Sequence, residues 1–460
     1  MFYVLNIPIL IEYELLELNM KIMPPLSLQS LSALQDEILL DRLTHLLPNM
    51  MDECNVDMWI VIGDEYNEGP LVRALLPSSF FHARKTSLFV FARKNGVHYR
   101  YIVSKPDFSI DKFYTPALLK PIGFNWEKFY TTFAPEYDIE AIRLMDEEDM
   151  WGALSRLVKE IDPTTIALDT SKNTSFSDGL SKTNYDAIHL SLGDELMKRV
   201  MSGECIATRF LETRSEKEIE LMRSIVGTTR DIIKKAYSTE IITPGKTTSG
   251  EVRFFLMEEA TRIGMIPWFD ATVWIRREGN AHIDKDDEVI QKGDILHCDF
   301  GVVYGRLCSD VQEMAYIKKE NDDVLIGELK QIHNLSMKFQ YIVMEQLKVE
   351  KSGNEVLKDA LYSAKESGIS SPMLYSHPIG IYGHGPGPTI GSFGNQEFVS
   401  GSGERIVYNN TAYALELNVM EKVPSWNNLE IMWGQEIDIA IIDNTPQFLK
   451  GRQTELHIVG

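Results

Sequence analysis

The segment from Asp299 to Asp310 constrains the fold of this chain most, because it joins two apolar runs through Tyr304 and Gly305. This pattern predicts a β-hairpin with a two-residue turn. If Tyr304 and Gly305 form the turn, Asp299 and Asp310 lie opposite each other, with Cβ atoms about 4.5–5.5 Å apart. Two carboxylates at that distance need open water, a proton or a hard divalent cation between them. The spacing by itself leaves an exposed hairpin and a cation site equally open.

Two further acids lie in apolar, strand-like runs nearer the C-terminus. Glu416 lies within residues 412–419 and Glu436 within residues 435–442. A carboxylate that is buried without a partner is costly, so each acid either faces water or is held by a cation. Asp438 has the same strand parity as Glu436, so the pattern alone leaves these two acids in competition.

A segment rich in glycine and flanked by prolines places two histidines seven residues apart, at His377 and His384. A phosphate-binding loop is not predicted, because no Gly-Lys-Ser or Gly-Lys-Thr motif follows and no strand-to-helix context is evident. A single histidine is more often structural than a ligand, but a pair in a segment that disfavours a helix indicates function. His297 shares the strand face of Asp299 and is a further polar neighbour of that acid.

The composition argues against several classes of protein. Asp and Glu (67) outnumber Lys and Arg (46), and the net charge of −21 argues against a nucleic-acid or anionic-membrane surface. The four cysteines lack CxxC spacing, so the sequence predicts neither a zinc ribbon nor a disulfide scaffold and favours a reducing compartment, the cytoplasm. No stretch approaches the roughly 18 uninterrupted apolar residues of a membrane span. We therefore expect neither a nucleic acid nor a membrane as a partner.

The sequence divides into three predicted parts: an N-terminal extension (1–23), an α/β domain (24–203) and a C-terminal domain (204–460). Short apolar runs in the α/β domain alternate with gaps that are long enough for helices, which predicts a layered α/β structure. The dipeptide Asn95-Gly96 between two of these runs predicts a hairpin turn.

The C-terminal domain is predicted to begin with a capped helix. Ser215 and Glu218 match a capping box, and apolar residues at helical spacing continue to about Ala236. Further helices are predicted over about 252–263 and 322–347, with strands between and after them.

The order and spacing of these acids and histidines resemble the creatinase/aminopeptidase P/prolidase family of pita-bread metallopeptidases, which includes the methionine aminopeptidases. The resemblance covers roughly residues 206–445 and implies an α+β pita-bread catalytic domain. The α/β half before it is similar to the creatinase N-terminal domain that aminopeptidase P and prolidase share. The resemblance also implies five ligands for two divalent cations: Asp299, Asp310, His377, Glu416 and Glu436.

Among the activities of this family, the resemblance implies an Xaa-Pro aminopeptidase, which hydrolyses peptides with proline at the second position. A water or hydroxide between the cations would attack, Glu416 would be ligand and general base, and His282 and His384 would hydrogen-bond the substrate. A carboxylate-rich ligand set with one histidine favours Mn²⁺, with Co²⁺ or Zn²⁺ as alternatives. The resemblance further implies a homodimer formed through the N-terminal domain.

Two other functions stay open on the sequence. A prolidase, which cuts only Xaa-Pro dipeptides, needs a cationic group for the substrate's C-terminal carboxylate, and the sequence does not show which residue that is. A metal-free pita-bread domain would bind peptides or histones instead of cleaving peptides. That class is marked by the loss of ligands, whereas all five are present here.

Four positions depart from the usual pattern of the family. Leu417 and Asn418 follow the first glutamate ligand, where the family usually has Pro-Gly. Glu313 and Gly434 stand where the family often has arginine. Because such arginines shape the charge around the site, these departures bear more on the substrate than on metal binding.

Overall fold

The computed structural model describes residues 26–460, in which two compact units are recognised. One unit spans Gln29–Leu211 and the other contains Glu212–Gly460. The N-terminal extension predicted over residues 1–23 lies outside the described residues. In this described part of the chain, no helix is both long and apolar enough to cross a membrane.

The first unit is an α/β structure, as the sequence predicts. Its strands are β1 (Met58–Gly63), β2 (Ser87–Lys94), β3 (Val97–Val103), β4 (Thr115–Pro116), β5 (Ile166–Leu168) and β6 (Val200–Ser202). They form one mixed sheet in the order β4-β3-β2-β1-β5-β6, antiparallel at β1–β2 and β2–β3 and parallel at the other pairs. The helices are α1 (Leu28–Asp41), α2 (Leu47–Glu53), α3 (Pro70–Leu75), α4 (Trp126–Phe133), α5 (Ile139–Arg143), α6 (Met150–Ile161), α7 (Lys182–Met197) and α8 (Glu204–Glu212).

Local sequence explains the central elements of this sheet. Every residue of β1 is buried, as expected for a strand covered on both faces. The turn predicted at Asn95 and Gly96 is confirmed, because Lys94 pairs with Val97 and both turn residues have positive φ (52° and 76°). Helix α6 packs its buried apolar residues against the same core.

A disulfide joins Cys54 to Cys205, so the expectation that the cysteines form no disulfide is wrong. The two residues are 151 positions apart, and only the fold brings their Cα atoms to 5.8 Å, within the range that a disulfide spans. Cys205 lies on α8, and Phe210 of the same helix packs edge-on against Trp59. Helix α8 therefore groups with the first unit, whereas the predicted boundary between residues 203 and 204 assigns it to the second.

We expect two reactive thiols when the unreduced protein is unfolded, and four after reduction, because Cys298 and Cys308 are the two free cysteines. A colorimetric thiol assay in guanidinium chloride measures this number directly. Replacing Cys54 with serine should lower the free energy of unfolding of the first unit by about 2–4 kcal/mol, because the link constrains a long loop in the unfolded chain. Four reactive thiols without reductant would contradict the pairing.

The second unit contains the remaining helices and strands. Its helices are α9 (Glu216–Ala236), α10 (Ser249–Arg262), α11 (Asp323–Gln346) and α12 (Gly353–Glu366). Its strands are β7 (Ile266–Pro267), β8 (Thr272–Arg277), β9 (Asn280–Ile283), β10 (Ile295–Phe300), β11 (Val302–Tyr304), β12 (Leu307–Cys308), β13 (Val311–Ile317), β14 (Pro372–Leu374), β15 (His377–Pro378), β16 (Thr411–Val423), β17 (Leu429–Ile442), β18 (Thr445–Phe448) and β19 (His457–Val459).

Ten of these strands form one sheet, with a main path in the order β14-β16-β17-β13-β10-β8-β9. Strands β15, β18 and β19 pair with β16, β17 and β13, while β7, β11 and β12 form a separate small sheet. The apolar side chains of α11 and α12 pack against the large sheet in one continuous core. This core holds the strands that bear the predicted ligands.

The helices predicted for this unit are confirmed. Ser215 accepts from the backbone N–H of Glu218, whose side chain accepts in return from the backbone of Ser215, and α9 ends at Ala236. Helices α10 and α11 lie within three residues of the predicted ranges.

The turn of the hairpin formed by β11 and β12 lies one residue later than predicted, at Gly305 and Arg306. Tyr304 pairs with Leu307 instead of forming part of the turn. Both turn residues have positive φ, 59° and 70°, as a primed two-residue turn requires. Either position of the turn puts one non-glycine residue in this conformation, and in the structure that residue is Arg306.

The later turn changes the partner of Asp299. Asp299 pairs with Gln312, so the predicted direct pairing with Asp310 is wrong. The partner of Asp299 has moved by two positions, an even number. Asp310 therefore has the same strand parity as Gln312 and stays on the face of the sheet that Asp299 occupies. The two aspartates therefore remain near each other, in diagonal positions.

Candidate metal centre

The large sheet brings the five predicted ligands together: four lie on strands, and the fifth directly precedes a strand. Asp299 lies on β10, His377 on β15, Glu416 on β16 and Glu436 on β17, while Asp310 directly precedes β13. Glu416 and Glu436 are direct cross-strand partners. Side chains of such a pair share one face of the sheet, so the register itself places two carboxylates side by side.

The five side chains form two overlapping groups of potential ligands. Asp310, His377 and Glu436 have ligand atoms within 4.8 Å of one another, and so do Asp299, Glu416 and Glu436. Glu436 belongs to both groups. In the first group, His377 Nε2 lies 3.6 Å from Glu436 Oε1 and 3.8 Å from Asp310 Oδ2. Two adjacent ligand groups that share a carboxylate can hold two neighbouring cations.

Several carboxylate oxygens in these groups are buried without a hydrogen-bond partner among the described residues. They are Asp299 Oδ1, Asp310 Oδ1 and Glu436 Oε1. A buried acceptor with no donor is costly, and a hard divalent cation is the partner that carboxylate oxygens favour. The residues present therefore fit a cation centre.

The electrostatics of the four carboxylates point the same way. Burial raises the pKa of Asp299 to about 7, and burial together with Asp299 raises the pKa of Glu416 to about 8. Burial and the neighbouring carboxylates also raise the pKa of Asp310 and of Glu436 well above their ordinary values. Without cations, these groups therefore hold protons at a pH where free carboxylates are ionised.

His377 has the ionisation state that a ligand needs. Burial and the neighbouring His384 lower the pKa of His377 to about 4, so its imidazole is neutral at physiological pH. A neutral imidazole nitrogen can bind a cation, whereas imidazolium cannot.

The competing acid, Asp438, has another position in the structure. It pairs with Ala414 on β16 and accepts a hydrogen bond of 3.1 Å from the backbone N–H of Asp310. It is fully buried, and it belongs to neither ligand group. Asp438 therefore holds the backbone at Asp310, and burial raises its own pKa well above the ordinary value.

The two accessory histidines differ in their positions. The His384 ring lies 4.6 Å from the His377 ring and 5.2 Å from the Trp268 ring, beside the first ligand group. His282 is exposed on β9, and its recorded ring contact among the described residues is with Trp274, at 5.5 Å. The structure thus brings His384 to the centre and leaves His282 at its edge.

Gln312 is a residue at the centre that the sequence analysis missed. Its Nε2 donates 2.6 Å to Glu416 Oε1 and 2.9 Å to Glu436 Oε2. Its Oε1 faces His297 Nε2 at 2.8 Å, so His297 is a neighbour of the site and not a member of either ligand group. The signal that could have found Gln312 is its parity with Asp310, two residues earlier.

The two positions without arginine have local explanations. Glu313 accepts from Arg230 Nε at 2.8 Å and lies 2.5 Å from His457 Nε2. Although burial alone would raise it, these two partners hold the pKa of Glu313 below its ordinary value. At Gly434, a Cβ atom would lie 2.7 Å from the His297 ring, so no larger side chain fits there without displacing that ring.

The fold and the two groups of potential ligands are together typical of the pita-bread metallopeptidases. Residues 220–442 match the profile of metallopeptidase family M24, a range that includes all five predicted ligands. The resemblance recognised in the sequence is therefore confirmed, and this part of the chain is related to the M24 metallopeptidases.

One curated relative and two solved structures are similar to this chain. Over 225 residues the chain is 26% identical to a putative Xaa-Pro aminopeptidase from Mycoplasma pneumoniae, a match that covers 48% of this chain and 59% of that relative. An X-Pro aminopeptidase from Thermotoga maritima has a TM-score of 0.57 at 17% identity, covering 89% of this chain and 100% of its own. An Xaa-Pro dipeptidase from Bacillus anthracis has a TM-score of 0.54 at 17% identity, covering 91% and 99%. At these identities the solved structures show the shared pita-bread fold.

Proposed function

We propose that this protein is a metal-dependent Xaa-Pro aminopeptidase that uses two divalent cations to release the residue before a proline. The observation that supports this most strongly is the pair of ligand groups that share Glu436. Three of their four carboxylates each have an oxygen with no hydrogen-bond partner among residues 26–460. The M24 match and the similarity to a putative Xaa-Pro aminopeptidase support the choice of substrate.

Asp299, Asp310, His377, Glu416 and Glu436 hold the cations in this proposal. The cations, when bound, supply an activated water and positive charge for the oxyanion that develops on the substrate carbonyl. Glu416 is the general base, which takes a proton during attack and returns it to the leaving proline nitrogen. Its Oε1 is held by Gln312, which fixes the orientation of the carboxylate.

His384 and His282 act on the substrate in this proposal. His384 lies between His377 and Trp268, and burial lowers the pKa of His384, so its neutral imidazole can donate one hydrogen bond to a substrate carbonyl. His282 is exposed beside Trp274, where it can contact the substrate chain. Replacing His384 with alanine should therefore lower turnover while both cations stay bound.

Mn²⁺ is the proposed cation, because a set of four carboxylates and one imidazole is harder than the sulfur and imidazole sets of structural zinc. Metal analysis of protein purified without chelator, followed by reconstitution with Mn²⁺, Co²⁺ or Zn²⁺, tests this choice. Two equivalents of Mn²⁺ with the highest turnover would support it. Two equivalents of Zn²⁺ with no activation by Mn²⁺ would overturn it.

Cleavage of two matched peptides separates the proposed activity from its nearest alternative. We expect the reconstituted protein to release glycine from Gly-Pro-Ala, and the control Gly-Ala-Ala should resist because it lacks proline. Cleavage of Gly-Pro with no cleavage of Gly-Pro-Ala would instead indicate a prolidase. Binding of Gly-Pro-Ala without hydrolysis, in protein with both cations bound, would indicate a peptide-binding module.

The proposed assembly is a homodimer formed through the first unit, which rests on the family resemblance. Sedimentation equilibrium should then give a mass of twice the 52.5 kDa chain. A mass of 52.5 kDa across the micromolar range would overturn the proposal.

A further inference from the structure

We propose that Arg276, His297 and Gln312 form a positioning chain behind the metal centre, which orients Glu416 and Glu436 for the cations. This inference rests on the proposed function, because it assigns to these residues a role in metal binding. It concerns groups that lie behind the ligands and belong to neither ligand group.

Gln312 decides which oxygens of the two glutamates remain free. Its amide nitrogen has two hydrogens, and it donates to both Glu416 Oε1 and Glu436 Oε2. Glu436 Oε1 is left without a donor among the described residues and lies 3.6 Å from His377 Nε2. One amide therefore fixes the rotation of both carboxylates and turns the free oxygen of Glu436 towards the ligand histidine.

When the glutamates are ionised, as they are with cations bound, the hydrogen bonds of the chain can run in only one direction. Ionised glutamates only accept, so the amide nitrogen of Gln312 faces them and its oxygen faces His297. His297 must then donate through Nε2, over 2.8 Å, which leaves a lone pair on Nδ1. Arg276 Nη2 lies 3.2 Å from that Nδ1, and a guanidinium only donates. The acceptors at one end and the donor at the other specify the tautomer of His297 and the amide orientation of Gln312.

The pleat of the sheet explains why these residues meet. Arg276 is on β8, His297 on β10 and Gln312 on β13, and the registers place them on one face at successive diagonal positions. His297 is directly opposite Trp274 and Met314, so its polar contacts are the diagonal ones. The chain crosses three strands and ends at Glu436, the direct partner of Gln312 on β17.

Arg276 is the member whose presence most needs an explanation. It is 1% exposed, and its Nε and Nη1 have no hydrogen-bond partner among the described residues. A guanidinium buried in this way is costly, and its recorded side-chain hydrogen bond leads through His297 and Gln312 to the glutamates. Gly434 provides the room, since a Cβ atom there would lie 2.7 Å from the His297 ring.

The test measures the affinity of the apoprotein for Mn²⁺ by isothermal titration calorimetry. Gln312→Met keeps the length of the side chain and removes its donors, so we expect Mn²⁺ to bind about 10- to 100-fold more weakly, the usual effect of losing a partner of a ligand. Arg276→Met should act in the same direction, and Arg276→Lys should recover part of the loss. The matched control is Met314→Leu, a buried residue on the same strand and face as Gln312, which should leave the affinity unchanged.

A double-mutant cycle distinguishes a connected chain from separate structural contributions. If Arg276 acts through Gln312, adding Arg276→Met to Gln312→Met should not weaken Mn²⁺ binding further. Fully additive losses, or wild-type affinity in Gln312→Met, would overturn the inference. Should Gln312→Met fail to fold, Gln312→Asn makes the same comparison, because its shorter amide cannot bridge both glutamates. If the wild type binds none of Mn²⁺, Co²⁺ and Zn²⁺, the proposed function fails first. If it binds two ions and the variants match its affinity, only this inference fails.

Discussion

Replacing Asp310 with alanine is expected to lower kcat/KM for Gly-Pro-Ala by about 1,000-fold or more. Asp310 belongs to the ligand group that contains His377, so the variant should lose one of two cations. Metal-ion catalysis supplies several kcal/mol of transition-state stabilisation, and each 1.36 kcal/mol is a tenfold change in rate. Steady-state kinetics together with metal analysis of the same sample measures both effects.

Two controls make the result of Asp310→Ala interpretable. Asp287→Ala removes an exposed acid of the second unit and should keep wild-type turnover and metal content. The metal-free forms should also be compared, because Asp310→Ala removes a buried carboxylate and so should unfold no earlier than the metal-free wild type. A variant that keeps full turnover, or that loses turnover with both cations still bound, would contradict the assignment of Asp310 as a ligand.

Removing the metal is expected to lower the melting temperature much more at pH 8 than at pH 5. The pKa of Asp299 is raised to about 7 and that of Glu416 to about 8, above the values of 3.8 and 4.5 for unburied groups. Between about pH 4 and pH 8 the unfolded chain is therefore more ionised than the folded one, so the stability of the metal-free protein falls as the pH rises. Bound cations reverse this effect, because they favour the ionised carboxylates.

Differential scanning calorimetry of chelated and reconstituted protein, at several pH values, measures this dependence. The gap between the two melting temperatures should widen steadily from pH 5 to pH 8, and adding excess Mn²⁺ to the chelated sample should close it. The idea would be refuted by a constant gap, or by no gap, once metal loss has been verified by elemental analysis.

Local patterns in the sequence were sufficient to predict most of the helices, strands and turns discussed above. The capping box at Ser215, the turn at Asn95-Gly96 and the apolar strands around Glu416 and Glu436 depend on residues close together in the chain, and the structure contains all of them. Order and spacing also predicted the family, which the M24 match confirms. The assignment of the ligands follows from the same resemblance and stays a prediction that metal analysis can test.

Contacts between distant residues could not be predicted in the same way. A turn at Tyr304 and Gly305 would pair Asp299 with Asp310. The turn instead lies at Gly305 and Arg306, which both have positive φ, and Asp299 pairs with Gln312. The link between Cys54 and Cys205 depends on a distance that no spacing in the sequence expresses.

The sequence by itself determined which acids and histidines are candidate ligands and which strands bear them, because strand parity and apolar patterning act over a few residues. Only the tertiary structure decided which of these groups share an oxygen-lined centre. Asp438 has the same parity as Glu436, yet it bonds to the backbone of Asp310, while Gln312 holds both glutamates. Such choices are made by cross-strand register, which sets side-chain neighbours from distant parts of the chain and so cannot be read from any one segment.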